Sequence, residues 1–526
     1  MERKSKAKNK PVIGMDFGNC YSFLSYISDF DDKTRLGGNV HDLLPAGLNE
    51  GIPSVFFYSE ETGILCGDAA VRGRAKPVEN RVNRLKRHLG ETMTLDGKEI
   101  SYDEAITEVI QHCVRAANKK LQSGWQMTTN EIALSYPATY TSAQRQRLIE
   151  LAEKASLADG TQVHVSGTIA EPAAAGLDYL AKFGTNEDTI ALVYDLGGGT
   201  FDLALVALYP KGRTSGDGDY YYDILDKDGL EDVGGGEFDD IMYELIVQKF
   251  QAKYQIQLNR PHEASLRVDA VKAKKELTSD TYTEVELLYN NEYLTVSITR
   301  EEFEDASSEL LMRTMKATEN ILNRHPNQKP ETIILTGGAS QMPMVKHALD
   351  EVFPEYKDKI QISNPSRAIA DGVARYGTAE AMSDIAEKAE AASVVQTRVG
   401  YDIGIRFYHS VDDESGYIST YIPAGTPIPF QAAYQNSTTL HEDQRYSGFS
   451  VYEANKAHPN SEQVAEDYTE IMKVSLDHGR GVPKGTRNES RLCIDKLGVL
   501  TIEAHEADHP EKPIESTVEL KNLSIS

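Results

Sequence analysis

Cysteine is scarce. Four thiols, Cys20, Cys66, Cys113 and Cys493, are scattered along 526 residues with no CxxC pair. That spacing fits free thiols in a reducing compartment better than a disulfide or zinc framework, so the expected location is the cytoplasm. Long apolar runs are lacking too: nothing approaches the ~18 residues that a membrane helix needs, and a membrane-spanning chain is excluded. Positive charge is short, with Lys+Arg 55 against Asp+Glu 81 and a formal charge of −26. Such a field repels phosphates and argues against general nucleic-acid binding. Only residues 1–10, MERKSKAKNK, are strongly basic. With no apolar segment behind them they read as a disordered, solvated tail rather than a secretory signal.

What remains is the composition of a soluble globular protein, 40% hydrophobic and 26% charged. At roughly 150 residues per domain, its length implies about three or four lobes. From Pro11 to about residue 382 short apolar strands alternate with amphipathic helices. EIALSYP precedes SAQRQRLIELAEKA, and ETIILTGG precedes MPMVKHALDEVF. This is α/β patterning. Residues 383–397, SDIAEKAEAASVVQT, read as a short helix running into a linker. From 398 to 526 the chain turns to short strands broken by Gly, Pro, Asn and Asp, among them YDIGIRFY, GFSVYEA and VLTIEAHEA. That spacing indicates an antiparallel β-sandwich.

VIGMDFGN and ALVYDLGGGT share one plan: strand, aspartate, tight glycine turn, second strand. The echo suggests two related half-domains facing each other, with a nucleotide between them. In DLGGGTFD, Gly197, Gly198 and Gly199 let backbone N–H groups approach an anion that any Cβ would obstruct. Asp195 and Asp202 stand at the ends of the flanking strands, where carboxylates hold Mg²⁺ through its waters, and Thr200 adds a hydroxyl. Alone, the segment reads equally well as a glycine-rich hairpin with incidental acids. TGGASQMP places Gly337 and Gly338 between a strand and a helix, where a purine or ribose could lie on the backbone. EPAAAG sets Glu171 before a helix, and Pro137 ends a strand in LSYPATYTSAQRQ.

Taken together, GMDFGN, LKRHLG, YPATYTSAQRQ, IAEPAAAG, DLGGGTFD, VGGGEFD, AKKELTS, LTGGASQMP and NPSRAIADGVA resemble, in order and spacing, the ATPase domain of the seventy-kilodalton heat-shock chaperones, the DnaK type. The likeness runs from about residue 12 to residue 379, and the β-rich remainder resembles that family's substrate-binding sandwich at lower specificity. It implies an actin-like, two-lobed α/β ATPase domain followed by an antiparallel β-sandwich, with ATP and Mg²⁺ between the lobes. By the same resemblance Lys86, Glu171, Asp195 and Thr200 are the catalytic set. Asp16, Asp195 and Asp202 hold the metal through waters. Asp16, Gly18, Asn19, Gly197, Gly198, Gly199, Gly235, Lys274, Lys275, Gly337 and Gly338 contact the nucleotide, and Pro137 with Arg145 relays its state. Each has a plainer alternative: Lys86 in a solvated basic helix face, Glu171 as a helix cap, Asp16 as a turn residue, Pro137 and Arg145 as structural. The implied partners are unfolded or extended polypeptide segments, a J-domain co-chaperone and a nucleotide exchange factor.

Departures from the family pattern concentrate at the base end of the site. Asn19 and Cys20 replace two threonines, Val271 a ribose glutamate, Gln341 an adenine-stacking arginine, Ser366 an aspartate and Gly236 a glutamate. VVQTRV stands for the leucine-rich linker, and no segment corresponds to a helical lid. The leading expectation is an ATP-dependent, slowly hydrolysing chaperone that binds extended apolar segments. A nucleotide-sensing regulator with one dedicated protein partner is the alternative, and a small-molecule kinase on the same scaffold a third.

Overall fold

The computed structural model describes residues 11–29, 36–48, 51–72, 77–184, 186–215, 218–362, 367–386, 395–455, 459–511 and 514–517. The basic tail, residues 387–394 of the expected linker, and Ser366 lie outside the described residues. The elements that position the site are strands β1 (Ile13–Phe17), β2 (Tyr21–Ser28), β3 (Asn39–Asp42) and β4 (Glu131–Tyr136), helix α1 (Ser142–Lys154), strand β5 (His164–Ala170) and helix α2 (Glu171–Phe183). Then come β6 (Thr189–Leu196), β7 (Phe201–Ser215), β8 (Gly218–Leu230), α3 (Gly235–Tyr254), α4 (Arg260–Ser279), β9 (Thr332–Thr336), β10 (Ile360–Ile362), α5 (Ala368–Ala386), β11 (Val395–Arg398) and β12 (Pro427–Ile428).

Two mixed sheets organise the first part of the chain, the second of them extended by β11 and β12 from beyond it. One runs β5-β4-β1-β2-β3, the other β10-β9-β6-β7-β8-β11-β12. Each contains one antiparallel hairpin of the repeated motif, β1–β2 and β6–β7, beside parallel strands. The apolar runs of β6 and β7 are continuous because both faces are covered, and period-2 alternation sorts them into two cores. Ala191, Val193, Ala204 and Val206 join the core that includes β1 and α2. Leu192, Tyr194, Leu203 and Leu205 join a second core with α3 and α4. Helices α2 and α5 pack closely enough that a Cβ on Gly372 would overlap the Ala174 carbonyl.

Beyond residue 398 two antiparallel sheets share one core. Strands Tyr417–Ile422, Ile403–Phe407, Gln444–Ala454 and Tyr468–Val482 form the first; Phe430–Gln431, Arg487–Ile494, Leu500–Glu506 and Ile514–Thr517 form the second, with Gln435–Thr438 pairing alongside. Ile405, Val451 and Met472 meet Leu492 and Ile502 between them, as alternating inward residues of layered sheets do. The strand β11 takes up the last residues of the expected linker. It pairs in parallel with β8, Tyr222 opposite Val395, and antiparallel with β12, Thr397 opposite Ile428. No helix among the described residues is long and apolar enough to cross a membrane.

Candidate active site

The turns of the two hairpins touch. A Cβ on Gly199 would collide with the Asn19 amide, and one on Gly198 with the Cys20 sulfur. A third glycine segment lies across them: Gly235 N donates to Gly197 O at 2.8 Å and Gly236 N to Gly198 O at 2.9 Å. Glycine is required here by close backbone approach, since a Cβ on Gly234 would strike Gly199 itself. Gly337, at φ +81, passes over Asp195 in the same way.

Four acids and one lysine converge behind these turns. Asp195 and Asp202 are directly opposed in the β6–β7 pair, and Asp16 ends the corresponding strand of the first hairpin. Glu171 opens α2, where the helix dipole favours an anion. Its Oε1 receives Lys86 Nζ, which arrives from the short 3-10 turn Leu85–His88 and is only 4% exposed. Tyr140 OH donates to Lys86 O at 3.0 Å, Ser135 Oγ to Asp16 Oδ1 at 3.2 Å, and Ala138 N to Asp202 Oδ1 at 2.6 Å. Thr200 bonds Asp202 as well.

So many acids around one cation leave protons bound. Burial, followed by repulsion from Glu171, pushes the Asp16 and Asp202 carboxyls up to about 7. Asp195 is raised well above the usual carboxylate range by burial and by Asp202, Glu171 and Asp16. Asp195 Oδ1 and Asn19 Oδ1 are buried with no hydrogen-bond partner. Orphaned acceptors of this kind, beside a glycine cradle, fit a hydrated cation whose waters donate to them, because an unpaired buried oxygen costs about 1–3 kcal/mol otherwise. Among the described residues no three His, Cys, Asp or Glu side chains could hold a metal ion directly. Asp16, Asp195 and Asp202 would fit Mg²⁺ through its waters, the arrangement this ion tolerates best.

The expected nucleotide residues divide into two groups. Gly18, Asn19, Gly197, Gly198, Gly199, Gly235 and Gly337 lie at the turns. Lys274 joins them, its Nζ bonding Gly235 O at 2.6 Å and Asp239 at 2.7 Å. Lys275 is exposed but within charge reach of the Cys20 thiol. Gly338 faces open space, and Gln341 and Val271 are exposed, so the base end has few built contacts. Pro137 directly precedes Ala138, whose N–H bonds Asp202, whereas Arg145 points to the sandwich. Pro137 O accepts from Tyr140 N at 3.0 Å, and Arg145 reaches Gly498 O of the sandwich and Tyr136 OH.

Sequence reasoning missed several neighbours. Arg87 forks onto Glu237, at 2.6 and 3.0 Å, and also reaches Gly199 O, tying the Lys86 turn to α3. Arg84 packs over Gly236. Arg87 stood inside LKRHLG, read only as part of its basic face, and the sole signal for Arg84 was adjacency to that motif.

Two strand–glycine–strand units over a buried acid cluster, ahead of a β-sandwich, define a mixed α/β protein with a β-rich second domain. The family model described as "Hsp70 protein" matches residues 92–524, and the chain belongs to the Hsp70 family. Members of that family are in general nucleotide-binding, ATP-hydrolysing chaperones of unfolded polypeptides. The first hairpin, Arg84 and Lys86 precede the matched stretch, so their roles rest on geometry.

Proposed function

We propose that this chain is an ATP-dependent molecular chaperone with slow turnover, in which residues 11–382 form an actin-like, two-lobed nucleotide unit and residues 398–526 a sandwich that binds extended apolar segments. The observation that carries the reading is the Lys86–Glu171 pair held among Asp16, Asp195 and Asp202 beneath three glycine segments. The turns would cradle the phosphates through backbone N–H groups. Mg²⁺, held through its waters by Asp16, Asp195 and Asp202, supplies charge neutralisation when bound. Glu171 orients the attacking water, while Lys86 balances phosphate charge and Thr200 steadies Asp202. Because Lys86 already has a buried carboxylate partner, part of its charge is spent before any phosphate arrives, which favours slow hydrolysis. A J-domain co-chaperone and a nucleotide exchange factor are the expected partners, in the cytoplasm.

Lys86→Ala should retain ATP affinity within about threefold and lose at least about 100-fold in turnover, an effect typical of removing one electrostatic stabiliser. Single-turnover phosphate release, read beside a binding titration, checks it; unchanged turnover would remove Lys86 from the site. Unfolded peptide should raise wild-type turnover. Tight ATP binding without turnover would instead favour the nucleotide-sensing regulator, the reading to which Asn19 and Cys20 point.

A further inference from the structure

We infer that Arg84 is a polyphosphate-binding residue of this chain, a cation brought in from the Lys86 turn that makes affinity depend on the phosphates of a nucleoside di- or triphosphate rather than on its base. The inference rests on the nucleotide reading of the site above.

Arg84 caps the 3-10 turn Leu85–His88 in the left-handed region, φ 54 and ψ 35. A non-glycine residue there costs of order 1 kcal/mol and marks a backbone held by its surroundings. The hold is visible: Arg84 N donates to Asn19 O at 3.2 Å, so the residue is pinned to the first phosphate hairpin. Its guanidinium lies against Gly236, where a Cβ would overlap Nη2 and Cζ. Gly236 is the second residue of α3, and its own N–H bonds Gly198 O in the second hairpin. Arg84 thus touches the first hairpin and the third glycine segment, which in turn is hydrogen-bonded to the second hairpin.

Charge accounting singles it out. Arg87 is matched by Glu237, and Lys274 by Asp239. Among the described residues the Arg84 guanidinium has no hydrogen-bond or ion-pair partner, although it lies within charge reach of both Cys20 and Asp239. Cys20 is reachable by solvent yet closely surrounded, as on the wall of a cleft, and burial raises its thiol while Arg84 works against that rise. A half-buried guanidinium with five unused donors, packed against a glycine turn, is chemically suited to a phosphate. Gly236 provides the space, and leaves no carboxylate there to neutralise Arg84. The exposed Val271 and Gln341 offer little to a base in exchange.

The test is calorimetric titration of the full chain with ATP, adenosine and inorganic tripolyphosphate, with Mg²⁺ present. Arg84→Ala should weaken ATP by about 10- to 100-fold, the scale of one charged hydrogen bond. Adenosine should move less than about twofold, and tripolyphosphate should cease to compete. Arg84→Lys should recover part of the loss. Gly236→Glu, which keeps Arg84 but gives it a carboxylate partner, should reproduce the ATP defect and serves if Arg84→Ala fails to fold. Full ATP affinity in Arg84→Ala, or equal losses for ATP and adenosine, would overturn the assignment. A wild-type chain that binds no ATP would overturn the nucleotide reading and this inference with it, whereas binding that ignores Arg84 would sink this inference alone.

Discussion

Lys86 carries its charge to a place where four carboxylates outnumber it, and the consequence at the scale of single residues is a pH-dependent stability. Asp16 and Asp202 are lifted from 3.8 to about 7 by burial and by Glu171. Between those values the folded, metal-free protein binds more protons than the unfolded chain. These groups contribute stability in full below about pH 4 and lose it as pH rises through about 7, at most about 1.4 kcal/mol per pH unit for each. The melting midpoint of metal- and nucleotide-free protein should therefore fall between about pH 5 and pH 8. Asp16→Asn, which keeps an acceptor for Ser135 but does not titrate, should flatten that fall. An identical slope in the variant would show that Asp16 is ionised throughout.

At the scale of elements the site is a matter of close backbone approach. Gly372 on α5 faces the Ala174 carbonyl of α2, and Gly234 faces Gly199. The first contact couples two buried helices, the second two of the glycine turns. Gly372→Ala should cost about 1–3 kcal/mol, the range for overpacking a dense core. It should lower the thermal midpoint while leaving the ATP affinity of the folded fraction unchanged. Gly234→Ala, whose Cβ would also meet backbone, should lower the midpoint too, but unlike Gly372→Ala it should abolish ATP binding in the folded fraction. Thermal melts and titrations on both variants would decide, and a Gly234→Ala protein that binds ATP normally would remove that segment from the cradle. These glycines also show why part of the site was legible. A strand, an aspartate and a glycine turn leave a local pattern, and Asp16 and Asp195 could be read from it. Arg84 left none, because its meaning depends on a glycine some 150 residues away. The strand β11 was equally opaque: VQTR reads as linker, and only the free edge of β8 makes it a strand. Glu453 stood in an unremarkable strand, GFSVYEA, until α1 was placed against it.

Across the whole molecule the five-residue loop Pro137–Thr141, with the first turn of α1, joins the acid cluster to the sandwich. At one end Ala138 N bonds Asp202 and Tyr140 OH bonds Lys86 O. At the other, Ser142 N donates to Glu453 Oε2 at 2.8 Å, and Arg145 then reaches Gly498 O. Thr168 Oγ1 adds a bond to Leu497 O at 2.9 Å, and Arg398 forks onto Asp223, at 2.8 and 2.7 Å, beside β11. Glu453 sits at the start of α1, where a helix terminus favours an acceptor. Burial raises its carboxyl above the usual range, against the opposing pull of Ser142 N–H, Arg145 and Lys227. Its contribution is therefore complete at low pH and declines as pH rises through the folded value.

Ser142 offers the sharper test of this junction. It is the first helical residue of α1, after the Thr141 cap at φ −63 and ψ 161. Proline is favoured at that position, and the preceding backbone already has the extended geometry proline demands. Ser142→Pro should keep α1 intact while deleting both donors to Glu453. Loss of one charge-assisted bond corresponds to about tenfold faster amide exchange at the junction. That acceleration should appear at residues 136–145 and 495–499, with basal ATP turnover unchanged and stimulation by unfolded peptide reduced. Glu453→Gln, which still accepts from Ser142 N without a buried charge, should hold the junction closed and remove its pH dependence. If exchange and stimulation are the same in Ser142→Pro as in the wild type, the loop joins the two parts by contact alone and carries no signal between them.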